Sequence, residues 1–141
     1  MDLVISPSAV AGYTALGIVV VILVYGFLKQ PDFLTVPRRP RYREVIVPGM
    51  IVSEVIEILR KPPRGFSLYQ LDPAHGLVVY LEGPGLISLG CYYPLYVDPS
   101  TQGVLITCGI EPRTPLYGPP VRRRLVRMQR TVAQMLNGVA V

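Results

Sequence analysis

Between Ala9 and Leu28 the chain reads AVAGYTALGIVVVILVYGFL, twenty residues without a charge. As a helix this run extends about 30 Å, the thickness of the hydrocarbon layer of a bilayer. A helix buried in a soluble core keeps a polar stripe at the 3.6-residue period. Here the only polar side-chain atoms are the hydroxyls of Tyr13, Thr14 and Tyr25. The two tyrosines lie toward the ends of the run, where amphipathic rings favour the headgroup level. A cleaved leader needs a basic start, a shorter apolar segment and a small-residue cleavage site. The residues before Ala9 carry only Asp2, and no such site follows Leu28. The sequence therefore predicts a single uncleaved span, a signal anchor, over residues 7–29. Ser6 is its expected N-cap, Pro7 its first helical residue, and Lys29, Gln30 and Pro31 its polar stop.

The flanks of the run set an orientation. All fourteen Lys and Arg residues and eight of the nine Asp and Glu residues lie after Leu28. Lys29, Arg38, Arg39, Arg41 and Arg43 follow the span closely, so the C-terminal part is expected on the cytoplasmic or equivalent inner side, with the N-terminus outside. These five residues are the expected contacts to anionic lipid headgroups, each contributing about 1 kcal/mol that salt weakens. Within the span, Ala11, Gly12, Ala15 and Gly17 are small residues that would let a neighbouring membrane helix approach closely.

The chain after the span is long enough for one small domain. Residues 1–6 read as a short tail, 30–40 as a Pro/Arg-rich linker, 41–138 as the domain and 139–141 as a second tail. Arg41 to Val47 alternates as a short strand, expected at a sheet edge, and Pro48-Gly49 ends it. From Met50 to Lys61 the period becomes helical: Ile51, Val55, Ile58 and Leu59 share a face, and Pro62-Pro63 stops the helix. Four strand-like runs follow, Phe66 to Leu71, Leu77 to Glu82, Leu86 to Val97 and Val104 to Ile110, separated by turn-forming residues. Short connections join antiparallel neighbours. The third run is long and contains Pro94, which removes a ladder donor, so a bend or bulge is expected at Gly90 to Pro94. From Pro119 to Asn137, Val121, Leu125, Met128, Val132, Met135 and Leu136 form one apolar stripe, with Gly138 as the expected C-cap. The expected fold is α+β, a four- to five-stranded antiparallel meander packed by two helices. Both faces of Leu77 to Glu82 are largely apolar, so the second sheet face should enclose a cavity or meet something else.

Candidate chemistry is sparse. Cys91 and Cys108 sit in apolar strand contexts and are expected to be buried and reduced. His75 lies three residues after Asp72 in a turn, but no nucleophile signature accompanies it, and it reads as a surface turn histidine. Gly83-Pro84-Gly85 lacks the Gly-Lys-Ser/Thr of a phosphate loop and reads as a hairpin turn. No metal or cofactor is expected, nor an enzyme. Arg123, Arg127 and Arg130 share a helix side at i, i+4 and i+7, within a cluster that also holds Arg122 and Arg124. With Tyr92, Tyr93, Tyr96 and Tyr117 they form the expected partner interface, since Tyr and Arg are enriched at protein contacts.

These observations together predict a single-pass accessory or structural subunit. Its domain would make protein contacts in a membrane-associated assembly, an energy-transducing complex or the membrane-facing layer of a virion. The alternative is a membrane-tethered module for lipid or another hydrophobic ligand, with its cavity between sheet and C-terminal helix. A third reading, an RNA- or ribosome-binding membrane protein, lacks the strand motif that would carry stacking aromatics, and nucleic acid is not an expected partner.

Overall fold

The computed structural model describes residues 6–28, 30–33, 42–85, 89–113 and 118–141. The chain divides into two compact units, Met1–Gln30 and Pro31–Val141.

The first unit is helix α1, Pro7–Leu28. It is long and apolar enough to cross a membrane. Ser6 caps it as expected, its Oγ accepting from the Ala9 amide at 3.3 Å. Apolar side chains stand exposed all around it, among them Tyr13, Leu16, Val21 and Leu28. At about 100° per residue, Ala11, Gly12 and Ala15 fall within one arc of about 100°. Gly17 points at least about 120° away from each of them, so the expected small-residue face holds three of the four positions.

The second unit is α+β, with seven antiparallel strands and two helices among the described residues. Its elements are β1 Arg43–Val47, α2 Val52–Leu59, β2 Phe66–Asp72, β3 Leu77–Glu82, β4 Cys91–Ser100, β5 Gly103–Cys108, β6 Glu111–Pro112, α3 Pro119–Leu136 and β7 Val139–Ala140. The sheet order is β2-β3-β4-β5-β1-β7, with β6 also paired to β4. The meander β2 to β5 is as predicted. β1 is not at the edge, because β7 pairs to its outer side through Val45↔Ala140 and Ile46↔Val139. Residues expected as a tail thus complete the sheet, and the Val141 amide donates to the Glu44 carbonyl at 3.0 Å.

The effect of Pro94 on the ladder falls where expected, but the bulge does not. β4 runs through Pro94 without a register shift, opposite Val79 on one side. On the other side the register passes from Leu95↔Cys108 to Cys91↔Pro112 in equal steps, so β5 and β6 are one ladder interrupted opposite Pro94. There the Gly109 amide donates to the Pro94 carbonyl at 2.8 Å, and the return bond is missing because proline has no N–H. The bulge lies instead in β2, between Leu68 and Gln70. The extra residue is Tyr69, which the bulge turns onto the second sheet face. Asp98 to Ser100, expected in a turn, continue β4, and Thr101-Gln102 make the hairpin loop.

Both helices pack on one sheet face. Val55 and Leu59 of α2, with Leu125, Met128, Val132 and Leu136 of α3, meet Val78, Tyr80, Tyr93, Leu95 and Ile106 from the strands. Tyr80 donates its hydroxyl to the Leu59 carbonyl at 2.6 Å, tying the end of α2 to the sheet. The opposite face is covered by the domain's own aromatics. Leu77 and Val79 are fully buried there with Tyr92, Tyr96 and Phe33, flanked by Tyr42, Tyr69 and Leu81. Phe33 belongs to the stretch predicted as linker. It is 3% exposed, its ring meets Tyr69 and Tyr92, and its carbonyl accepts from the Tyr96 hydroxyl at 3.0 Å.

Candidate functional site

Helix α3 begins at Gly118 with prolines at its first two positions, where their missing amides cost nothing and their fixed φ favours the helix. Its left-handed C-terminal residue is Asn137 rather than Gly138. The Gly138 amide closes the end on the Ala133 carbonyl at 2.8 Å, the six-to-one bond of a Schellman motif. Gly138 is glycine for another reason: a Cβ there would lie 2.9 Å from both the Ile46 carbonyl and a Val45 methyl. The buried Gln129 amide donates to the Glu44 and Val141 carbonyls at 2.8 and 3.1 Å. Helix α3 is thereby fixed to β1 and to the last residue of the sheet edge.

With one face committed to the core, the opposite face carries charge. Arg122, Arg123, Arg127 and Arg130 are exposed, and together with the half-buried Val126 they line an open concavity of about 420 Å³. None of the four forms an ion pair among the described residues. Arg123 and Arg127, and again Arg127 and Arg130, are like-charged neighbours on the helix, a repulsion of about 0.2–0.5 kcal/mol per pair. Arg122 and Arg123 lie close to the positive end of the helix macrodipole, which favours anions instead. The face is therefore electrostatically unfavourable in isolation and suited to a negative partner.

The fifth arginine of the cluster points inward. Arg124 lies 3.7 Å from the Glu82 carboxylate and 3.5 Å from the Cys91 sulfur. Glu82 also accepts from the Tyr93 hydroxyl at 2.8 Å. Burial first, then the hydrogen bond to Glu82, pushes the Tyr93 hydroxyl far above its ordinary pKa, so it stays protonated as the donor.

Three of the four tyrosines expected at a partner interface are core residues. Tyr92, Tyr93 and Tyr96 are at most 9% exposed. Alternation along β4 sends Tyr92 and Tyr96 to the aromatic face and Tyr93 to the helix face, and both faces of this central strand are covered. Tyr92 also lies under the Arg113 guanidinium, 5.1 Å from the ring centroid. Of the expected headgroup contacts, Arg43 opens β1 opposite Cys108. Lys29, Arg38, Arg39, Arg41 and Tyr117 lie outside the described residues.

Cys91 and Cys108 are free and buried. They share a sheet face, but Cys91 is opposite Pro112 and Cys108 opposite Leu95. That places them about four residues, or 13 Å, apart along the ladder, beyond disulfide reach. Burial pushes the Cys108 thiol up to about 12. At Asp72 both carboxylate oxygens are committed to His75, one to its amide at 3.2 Å and one to its ring Nδ1 at 2.8 Å. These bonds hold the Asp72 carboxyl below its ordinary value, and the pair works as a capped turn.

Side chains of the sheet and α3 pack together in one buried cluster. A cleft of about 580 Å³ opens at the N-terminal end of the helix, where Tyr42, Arg43, Ile110, Val121, Arg122 and Leu125 are among its lining residues. Two elements of these sites have no clear signal in the sequence: Phe33, a lone aromatic among prolines, and Val126, which lies three residues after Arg123 and four before Arg130. No protein-family model, curated protein or solved structure matches this chain.

Proposed function

We propose that this protein is a single-pass, membrane-anchored accessory or structural subunit whose α+β domain makes protein contacts within a larger assembly. The observation that carries the reading is α1, an uncharged helix of 22 residues with apolar side chains exposed around its circumference. Water would not tolerate such a surface, whereas lipid or neighbouring helices would cover it. The arginine face of α3 supports the second half of the reading, as a surface whose charges find no partner among the described residues of the domain itself. By the charge asymmetry of the flanks, the domain faces the cytoplasm or an equivalent inner compartment.

The test is extraction of the native membrane or particle in gentle detergent, then size separation and mass spectrometry of proteins and lipids. Migration in a large complex with partners at fixed ratio is the expected result, and migration alone refutes the reading. The cleft beside Arg43 and Arg122 favours a second reading, a tethered module for an anionic hydrophobic ligand. In the same experiment that reading requires a lipid copurifying with a chain that migrates alone.

A further inference from the structure

The outward arginines of α3 have a specific arrangement as well as a charge. Arg123, Arg127 and Arg130 follow one another at i, i+4 and i+7, a ridge of about 10 Å along the axis. Arg122 flanks it, and the half-buried Val126 lines the same concavity. We infer that this face is a docking site for an acidic segment of a partner protein, with carboxylates received by Arg122, Arg123, Arg127 and Arg130 and an apolar side chain resting on Val126. The inference rests on the assembly reading above and names the chemistry of the contact.

Two observations select a protein over other polyanions. A helix that binds a bilayer surface inserts an exposed apolar face beside its basic one. In α3 the apolar face is spent: Leu125, Met128, Val132 and Leu136 are at most 4% exposed, locked against the sheet. Single-stranded nucleic acid is held by aromatic platforms beside the basic groove, whereas Tyr92, Tyr93 and Tyr96 are buried and cannot stack a base. What remains exposed is a set of planar, bidentate donors around a small apolar patch. That is the arrangement by which arginines receive carboxylates at protein interfaces.

The test uses the full chain in nanodiscs of phosphatidylcholine, which add no net charge. The probe is an alanine-based helical peptide with Glu at i, i+4 and i+7 and one leucine between them; its Gln counterpart is the control. The Glu peptide should bind about tenfold or more tightly than the Gln peptide, and the triple variant R123E/R127E/R130E should lose about the same factor, as three exposed charge pairs allow. Raising salt should weaken the binding. The variant places acidic residues at exposed helical positions, so it should fold, which circular dichroism checks; R123A/R127A/R130A serves if it does not. Equal binding of the two peptides, or an unchanged triple variant, overturns the proposal. Stronger binding of an oligothymidylate or of phosphatidylserine vesicles than of the Glu peptide also overturns it. The outcomes separate from those of the assembly test. A chain that migrates in a large complex yet ignores the Glu peptide refutes the ridge alone, and a chain that migrates by itself refutes the assembly.

Discussion

Truncating Phe33 to alanine should destabilise the domain even though the residue sits in a proline-rich stretch that reads as a linker. Full burial of a phenylalanine contributes about 1.5–3 kcal/mol. Its ring contacts with Tyr69, at 6.5 Å and edge-on, and with Tyr92, at 5.6 Å and tilted, add about 0.5–1.5 kcal/mol each. Tyr42 and Tyr69 are only partly buried and can relax into the space, which lowers the cost. The net expectation is about 3 kcal/mol, or about 13 °C in Tm for a unit of this size. The assay is thermal and urea unfolding of the full chain in mild detergent, followed by near-ultraviolet dichroism of the tyrosines, so that α1 contributes little to the signal. The control is Ile51→Ala, whose side chain is 62% exposed and should change Tm by no more than about 2 °C. A loss below about 1 kcal/mol for Phe33→Ala would show that Phe33 does not seal the second sheet face, and with it the account of why Leu77 and Val79 are buried.

Removing the Tyr80 hydroxyl with Tyr80→Phe leaves the Leu59 carbonyl without its 2.6 Å donor and should cost about 1–3 kcal/mol in the same unfolding assay. Gly90→Ala forces a left-handed residue with φ of 89° to carry a Cβ against the Glu82 carbonyl and should cost about 1–3 kcal/mol; Gly83→Ala, with open space around it, should cost far less. The Asp72 carboxyl is held below its ordinary 3.8 by the His75 hydrogen bond, so its contribution is present above the unfolded value and is lost as pH falls through the folded one. Carbon-13 titration should give a midpoint below 3.8, and Asp72→Asn should flatten this part of the acid limb. A thiol reagent at pH 8 should label neither Cys91 nor Cys108 in the folded chain and both in denaturant, because both are buried and burial raises both thiols. Labelling of folded protein would refute the placement of β4 and β5.

The elements legible in the sequence were those whose pattern repeats. Helices α1 and α3 and the β2 to β5 meander each show a period long enough to read. The arginine face followed directly, since once Leu125, Met128 and Val132 define the inner side of α3, Arg123, Arg127 and Arg130 must lie outside. Tyr92, Tyr93 and Tyr96 lie in the core: residue type suggests an interface, whereas location depends on strand order. β4 is central, so alternation buries Tyr92 and Tyr93 on opposite faces rather than exposing one of them. Two-residue strands such as β6 and β7 have no period at all; they exist through pairing with β4 and β1. Phe33 is held in place by tertiary contact alone, and a bulge at Tyr69 leaves no local mark beyond a strand whose apolar spacing fails to alternate.

The pairing of β1 also has a consequence in time. β2 to β5 follow one another in sequence, no more than eight residues apart, and can close one hairpin after another. β1 leads them in sequence, yet its partners are β5, more than fifty residues later, and β7, later still. The contact from Tyr96 to Phe33 likewise spans 63 positions, and that from Gln129 to Glu44 spans 85. Such closures are entropically slow. The first strand of the domain should therefore be the last to find its place, docking onto a preformed meander when α3 brings Gln129 to it. Hydrogen exchange during refolding should protect Leu77 to Leu81 before Val45 to Val47.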